Sequence, residues 1–200
     1  MLFQNVCYMK ITKSVIVALL LLVIVAALYR VFPNRPLGFA PQYAMAIFGG
    51  AVFIKNKKWA FILPLLSMFI SDLLYQLLYI KGLSPFPGFY TGQWQNYTLF
   101  AFLTVIGFFI KKINVPNVLA ASVASPTVFF ILSNFVVWAG WQGTRGLNRP
   151  RTWQGLMQCY ADALPFYPNS IYATLLFSTV LFGGYYLIKN YWFERSHQIA

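Results

Sequence analysis

Charge is what this sequence lacks most. Only 9% of its 200 residues are Asp, Glu, Lys or Arg, and only 3 of those are acids. Soluble domains carry about a quarter charged residues. A soluble core of this size could not hide a chain in which 60% of the residues are hydrophobic. The composition therefore excludes an ordinary soluble domain and indicates an integral membrane protein.

Histidine, cysteine and catalytic motifs are also scarce. The single histidine, His197, lies near the C-terminus, so we expect neither a metal centre nor another cofactor. Cys7 and Cys159 show no metal-binding or redox spacing, and we expect both to be unpaired. Walker loops and GxSxG elbows are absent. We therefore expect no enzyme, and the alternative left open is an aspartyl pair formed by Asp72 and Asp162.

Long hydrophobic runs are abundant. A helix needs about 20 mostly apolar residues to cross the hydrocarbon core of a membrane. We predict six such segments, of which the second and fourth are short for a full crossing: residues 14–32, 41–54, 59–80, 97–110, 118–138 and 171–192. The sequence therefore predicts an all-α polytopic bundle of about six transmembrane helices, forming one domain over residues 1–200. The first segment is long for a cleaved signal peptide, so we expect it to be retained.

Basic residues predict the orientation of the bundle. The chain has 15 of them and a formal net charge of +12. They occur singly or in small groups between apolar runs, which is typical of loops beside anionic lipid headgroups and not of a nucleic-acid groove. The basic groups at residues 55–58 and 111–112 lie on the same predicted side of the membrane as the N-terminus, so we predict that both termini lie inside. We also predict that the partners include lipids but no nucleic acid.

The predicted outer connections, residues 31–40, 81–96 and 140–170, are longer than the inner ones and richer in Pro, Gly and aromatic residues. Long connections in a compact protein are usually functional or disordered. The third has apolar side chains at helical spacing, which predicts a short amphipathic surface helix over residues 152–164. A plug that packs over the bundle is the alternative.

Polar side chains within the predicted spans are the candidate functional residues, because burying them in lipid is costly. Asp72 is the only acid in a predicted span, and Gln76 follows one turn later on the same face. Asn134 and Gln42 fall in the outer parts of their segments, at a similar depth. We therefore predict one outward-facing pocket for a small organic solute, lined by these residues: Asp72, Gln76, Asn134, Gln42, Trp138, Trp94 and Tyr160.

Structural roles are the alternative for the same residues. Buried Asp, Asn and Gln side chains hydrogen-bond between membrane helices and fix their packing. Asp72 in particular has Arg30 and Arg35 as candidate partners near the predicted outer face. We further expect close helix contacts or kinks at four places: Gly49-Gly50, Gly183-Gly184, Pro64 and Pro126.

The motifs FGGA, SD in the third segment, SNF in the fifth and the LPF run after it resemble a family of small bacterial membrane proteins. That family is common in Bacteroidetes and is described as transport proteins of unknown function. The resemblance covers nearly the whole chain after the first segment. The family is in turn similar to the substrate-binding S-components of energy-coupling-factor vitamin transporters. This resemblance implies six helices in the bacterial inner membrane, a pocket under the outer loops, uptake of a vitamin or related micronutrient, and an energising transporter module as partner.

One feature of S-components is not matched. They often carry AxxxA motifs on the first and third helices, where they dock on their coupling subunit. Here this spacing occurs at Ala40 and Ala44 and at Ala120 and Ala124, on other segments. The leading hypothesis is therefore a membrane transport protein for a small solute, with or without a shared module. The alternatives are a non-transporting structural or assembly subunit and an intramembrane enzyme acting on lipid-linked substrates.

Overall fold

The computed structural model describes residues 13–140 and 149–198, and every regular element in these ranges is helical. The α-helices are α1 Lys13–Arg30, α2 Gln42–Val52, α3 Lys57–Ile80, α4 Gln93–Phe108, α5 Val115–Ala139, α6 Trp153–Ala163 and α7 Tyr167–Gln198. A 3₁₀ turn, Leu164–Phe166, joins α6 to α7. The predicted all-α class is confirmed. Cys7 and residues 141–148 of the third predicted outer connection lie outside the described ranges.

Three stretches are long and apolar enough to cross a membrane: Lys57–Ile80, Val115–Ala139 and Trp153–Lys189, the last of which joins α6 to most of α7. Ile16–Arg30 and Gln42–Val52 are shorter apolar helices, and α4 has 16 residues. The chain thus has the helices of a membrane protein. The number of crossings and the side on which the termini lie stay predictions.

The short helix α2 lies at the centre of the bundle. All 11 of its residues are buried, and α3, α4, α5 and α7 all pack against it. At 1.5 Å per residue it is only about 16 Å long. Its sequence, QYAMAIFGGAV, is apolar all round after the first residue, as expected for a helix surrounded by other helices.

Glycines let α2 approach its neighbours closely. A Cβ on Gly50 would come 2.8 Å from the Cα of Gly107, so α2 and α4 cross glycine against glycine. A Cβ on Gly49 would come 2.6 Å from the carbonyl oxygen of Ala60 in α3. Pro64 has no N–H to donate to that carbonyl, and Gly49 lies against the oxygen that the proline leaves without its helical partner. The expectation for this glycine pair is confirmed.

The same expectation is wrong for Gly183 and Gly184 of α7. A Cβ on either would meet no described atom within 4 Å. The neighbouring Phe182 makes the contact with α2 instead, where its ring lies 5.2 Å from that of Phe48. Because the ring of Phe182 fills the interface between α7 and α2, Gly183 and Gly184 lie outside this interface.

The connections 31–41 and 81–92 and the helix α6 lie at one end of the bundle, which we call the long-loop end. α7 begins there: Asn169 and Ser170 donate side-chain hydrogen bonds of 3.0 and 3.1 Å to backbone carbonyls of Leu37 and Gly38. The short helix predicted over residues 152–164 is confirmed as α6. It buries Leu156 against the bundle but leaves Trp153 exposed, so its apolar side chains are divided between two faces.

Candidate functional site

Asp72 is the centre of a polar network at the long-loop end. Its side chain is almost fully buried. One carboxylate oxygen, Oδ1, lies 2.5 Å from Nη1 of Arg30. The other, Oδ2, accepts hydrogen bonds from Nε2 of Gln93 at 2.5 Å and from the hydroxyl of Tyr97 at 2.6 Å. The pairing of Asp72 with Arg30, one of the two partners expected from sequence, is therefore present.

Arg30 ends α1 and is held by several groups of α3. Its Nη1 donates to Oγ of Ser71 at 2.5 Å and to the carbonyl oxygen of Met68 at 3.3 Å. The ring of Tyr75 lies 6.0 Å from the guanidinium carbon, and its hydroxyl donates to the Arg30 carbonyl oxygen at 2.9 Å. A basic residue in the last turn of a helix suits the negative end of the helix dipole. The guanidinium therefore joins α1 to α3.

The spacing along each helix explains why these side chains meet. Residues 68, 71, 72 and 75 follow the i, i+3, i+4, i+7 pattern and so share one face of α3. Gln93 and Tyr97 lie four residues apart in the first turns of α4 and share a face there. Three helices thus contribute to one carboxylate.

The connection 81–92 folds back over this network. Oε1 of Gln76 accepts hydrogen bonds from the amides of Gly88 and Phe89 at 3.1 and 3.2 Å. Nε2 of Gln93 donates to the Gly88 carbonyl oxygen at 3.0 Å, in addition to its bond with Asp72. Gln76 therefore lies beside the Asp72 network, as its spacing predicts, but its amide oxygen already fixes the connection.

Gln42 lies one turn deeper in the bundle. It is 1% exposed, and its Nε2 donates to Oγ of Ser67 at 2.9 Å. Ser67 precedes Ser71 by one turn of α3, which places Gln42 close below the carboxylate network. The Oε1 of Gln42 has no hydrogen-bond partner among the described residues. Of all the candidate residues, Gln42 is the one with an unused buried acceptor.

Three other candidates form a separate group between α5 and α6. Asn134 donates to the carbonyl oxygen one turn earlier in its own helix, at 2.7 Å. Nε1 of Trp138 donates to the Pro150 carbonyl oxygen at 3.1 Å. The hydroxyl of Tyr160 donates to the Ile131 carbonyl oxygen at 3.0 Å. The bond of Tyr160 attaches α6 to α5, that of Trp138 attaches the segment just before α6, and that of Asn134 stays within α5. None of them involves the groups around Asp72.

Trp94 belongs to neither group. It is 66% exposed, whereas the neighbouring Gln93 is buried. The seven candidates thus fall into three sets: Asp72, Gln76 and Gln42 in or beside the Asp72 network, Asn134, Trp138 and Tyr160 near the contact of α5 with α6, and Trp94 on the outside. A part for any of them in binding a solute stays a prediction.

Sequence reasoning missed Gln93 and Tyr97 as partners of Asp72. The sequence predicts the fourth segment from residue 97, with an extension to Trp94 as an alternative, whereas α4 begins at Gln93. The mostly polar run QWQN predicts a connection, so Gln93 is expected in the wall of the pocket and not as a partner of Asp72. Gly92, with φ +82°, sits in the left-handed region just before it and marks the true helix start.

The second acid of the described ranges, Asp162, lies in a different ion pair. Arg149 binds it through two bonds, Nε to Oδ2 at 2.7 Å and Nη2 to Oδ1 at 3.0 Å. This contact raises the pKa of Arg149 above its ordinary value. The two acids therefore belong to separate networks, and no group of three His, Cys, Asp or Glu residues able to hold a metal occurs in the described part of the chain.

These features define an all-helical protein with helices that suit a membrane and a charged network buried at one end. The chain belongs to DUF6580, a family of unknown function whose model matches residues 10–196. The match covers nearly the whole chain. Comparison with curated proteins and with solved structures gives no match. The likeness to S-components stays a prediction.

Proposed function

We propose that this protein is a transport protein of the bacterial cytoplasmic membrane that binds a small organic solute at the long-loop end. In this proposal the chain crosses the membrane six times, both termini lie inside, and the long-loop end faces outward. One observation carries the proposal: the ion pair of the half-buried Arg30 with the buried carboxylate of Asp72, which Gln93 and Tyr97 also bind.

The physical argument is the cost of charge at membrane depth. Ionisable groups within membrane helices are rare, face the interior or a cavity, and mark substrate and ion pathways. Here the connection 81–92 covers the pair, held by the bonds of Gly88 to Gln76 and Gln93. A solute with hydrogen-bonding groups would exchange bonds with Gln93, Tyr97 and the free acceptor of Gln42. The resemblance to S-components makes a vitamin or related micronutrient the first solute class to test, with an energising module or an ion gradient as the driving force.

Binding is tested by thermal unfolding of the purified protein in detergent against a panel of vitamins and related micronutrients. We expect one class to raise the melting temperature of the wild type. Asp72→Asn and Tyr97→Phe should weaken that rise, and the second variant leaves the ion pair in place. The matched controls are Asp162→Asn, in the other ion pair, and Tyr79→Phe, whose side chain is 46% exposed on α3.

The outcome decides between binding and packing. The proposal fails if no solute stabilises the wild type, or if the two network variants respond to the solute as the controls do. Uptake of the identified solute into proteoliposomes would then separate transport from binding alone.

Orientation is tested by cysteine accessibility in a Cys7→Ser, Cys159→Ser background. Lys81→Cys, in the connection 81–92, should react with a membrane-impermeant maleimide added to whole cells. Lys112→Cys, between α4 and α5, should react only after the membrane is opened. Both positions are exposed. The reverse pattern would overturn the proposed orientation.

A structural or assembly subunit is the second candidate, and one observation favours it. Arg30, Gln93 and Tyr97 already fill both oxygens of Asp72 from within the chain. Such a network can join α1, α3 and α4 without any ligand. This candidate predicts that network variants lose stability, that no solute stabilises the protein, and that a membrane partner co-purifies in a fixed ratio.

A further inference from the structure

Arg30 uses only part of its guanidinium group in the network around Asp72. Its side-chain bonds go to the carboxylate of Asp72, to Oγ of Ser71 and to the carbonyl oxygen of Met68, and all three come from one nitrogen, Nη1. The other two nitrogens, Nε and Nη2, donate to no atom of the described part of the chain. One edge of the guanidinium is therefore not used by the helices and connections described above.

This unused edge has the shape that a carboxylate group fits. The Nε–H and one Nη2–H bond of an arginine point in parallel from the same side of a planar group, and a carboxylate accepts both through its two oxygens. Asp72 does not fill this edge, because its Oδ1 contacts Nη1 and its Oδ2 accepts from Gln93 and Tyr97. A second carboxylate can thus bind Arg30 while the first stays in place.

The formal charges around this edge do not balance. Arg35, in the connection 31–41, donates from Nε to the Arg30 carbonyl oxygen at 3.1 Å and from Nη1 to the carbonyl oxygen of Phe39. Neither of the two ion pairs in the described part of the chain includes Arg35. Two arginines therefore stand against the single negative charge of Asp72, and a monovalent anion would balance the excess.

Arg30 is also the accessible member of its ion pair. Its side chain is 24% exposed, whereas that of Asp72 is 3% exposed. A ligand that enters at the long-loop end therefore meets the arginine and not the aspartate. The ring of Tyr75 lies 6.0 Å from the central carbon of the guanidinium, so an organic acid finds aromatic surface beside the charge.

We propose that Nε and Nη2 of Arg30 bind the carboxylate of a monoanionic organic solute. This inference rests on the proposed function, because it names the chemical class of the solute. The excess positive charge selects an acid over the corresponding neutral amide. The ring of Tyr75 favours an acid with an apolar body over a small inorganic anion. Arg35 acts through its charge alone, because its own bonds hold backbone oxygens.

Matched pairs of acids and amides test this class. Each pair shares one apolar body and differs in charge: nicotinate and nicotinamide, biotin and biotinamide, benzoate and benzamide. The measurement is thermal unfolding of the purified full-length protein in detergent, at neutral pH and constant ionic strength so that screening of surface charges stays the same. We expect at least one acid to raise the melting temperature saturably. Its amide should bind about tenfold more weakly, because it cannot accept two charge-assisted bonds.

Two variants locate the carboxylate. Arg30→Lys keeps a positive charge beside Asp72 but lacks the planar edge, so it should bind the acid about tenfold more weakly than the wild type does. Arg35→Gln leaves Arg30 intact and removes the excess charge, so it should weaken binding of the acid by a smaller factor. Both should lower the affinity for the acid relative to the amide, a ratio that a loss of packing alone does not change.

The matched control is Arg151→Gln, which removes an exposed positive charge just before α6, at the same end of the bundle. It should leave the ratio of acid to amide affinity unchanged. If Arg30→Lys does not fold, Arg35→Gln decides through the same ratio.

A lipid phosphate is the other source of an anion at a membrane protein. Dihexanoyl phosphatidylglycerol is therefore added in the same assay, with zwitterionic dihexanoyl phosphatidylcholine as its control. We expect the two lipids to have equal effects. If the anionic lipid alone stabilised the wild type but not Arg30→Lys, and no acid did so, the edge would bind a headgroup and the proposal would be wrong.

This inference and the proposed function can fail separately. Amides that stabilise the wild type as well as their acids do would overturn the inference and leave a solute site in place, as would a vitamin panel in which only neutral or cationic solutes bind. A preference for the acid that survives in Arg30→Lys would overturn the assignment to this arginine. If no compound of the pairs or of the wider panel stabilises the wild type, the proposed function fails and the inference fails with it.

Discussion

Gly88 lies directly against the backbone of Asp72: a Cβ on Gly88 would come 1.8 Å from the carbonyl oxygen of Asp72. This approach brings the Gly88 amide to Gln76 of α3 and its carbonyl to Gln93 of α4. The connection 81–92 is thereby fixed to both helices, and the groups that hold the Asp72 carboxylate are held in turn by backbone.

Replacing Gly88 by Ala should therefore separate the connection from α3, because the added Cβ cannot share space with a backbone carbonyl. We expect the free energy of unfolding to fall by about 1–3 kcal/mol, the usual cost of overpacking. Denaturant titration in detergent, followed by tryptophan fluorescence, measures this. Leu83→Ala is the control, because Leu83 is in the same connection and is 72% exposed. Equal midpoints for the two variants would contradict the close approach.

The two charges of Arg30 and Asp72 should contribute to the free energy of unfolding mainly through their interaction with each other and less through either charge alone. Arg30→Met leaves a buried carboxylate without its cation, which typically costs about 3–5 kcal/mol. Arg30→Met combined with Asp72→Leu should cost clearly less than the sum of the single changes, because no charge is then left buried. Unfolding of the four proteins gives this double-mutant cycle.

The matched control for that cycle is the pair of Arg149 and Asp162, in which both partners are half-buried, whereas the Asp72 carboxylate is buried. Arg149→Met should change stability less, because water and salt reach and screen the Asp162 carboxylate. If Arg149→Met destabilised the protein as much as Arg30→Met, the buried position of the first pair would not be the cause.

The crossing of α2 and α4 depends on the absence of side chains at Gly50 and Gly107. Gly107→Ala places a Cβ 2.4 Å from the Ile47 carbonyl oxygen, and we expect a loss of about 1–3 kcal/mol because α2 has no free side toward which it can shift. Gly184→Ala is the control: its site is open, and alanine should stabilise α7 by up to about 1 kcal/mol there. Opposite changes in the melting temperature of the two variants are the expected result.

The bond of Tyr160 to α5 and that of Trp138 to Pro150, just before α6, hold this part of the chain against α5. Cys159 is buried there, and its thiol lies 3.6 Å from the Asn134 carbonyl oxygen. In a Cys7→Ser background, Cys159 should react slowly with a small maleimide in the folded protein and quickly after denaturation. Tyr160→Phe removes one anchor and should speed the reaction. An equally slow reaction in Tyr160→Phe would show that this bond does not hold α6 in place.

Helix positions could be predicted from the sequence because they follow from apolar run length, and the depth of a side chain follows from its distance to a helix end. The direction in which each side chain points around the bundle could not be predicted from the sequence. Asp72 and Asn134 both lie toward the long-loop end as expected, but one faces α1 and α4 and the other lies beside α6, because direction depends on which helices become neighbours. Apolar run length also does not mark the start of α4, because polar residues can form the first turn of a helix when they bond buried groups, as Gln93 does.

The brevity of α2 has a geometric consequence. It is about 16 Å long, against about 30 Å for the hydrocarbon core, and the residues just after it, Lys55 and Asn56, are exposed. The longer helices around it therefore make up the rest of the thickness, and the buried Gln42 at one end of α2 lies much closer to the exposed Lys55 after the other end than the two ends of α3 lie to each other.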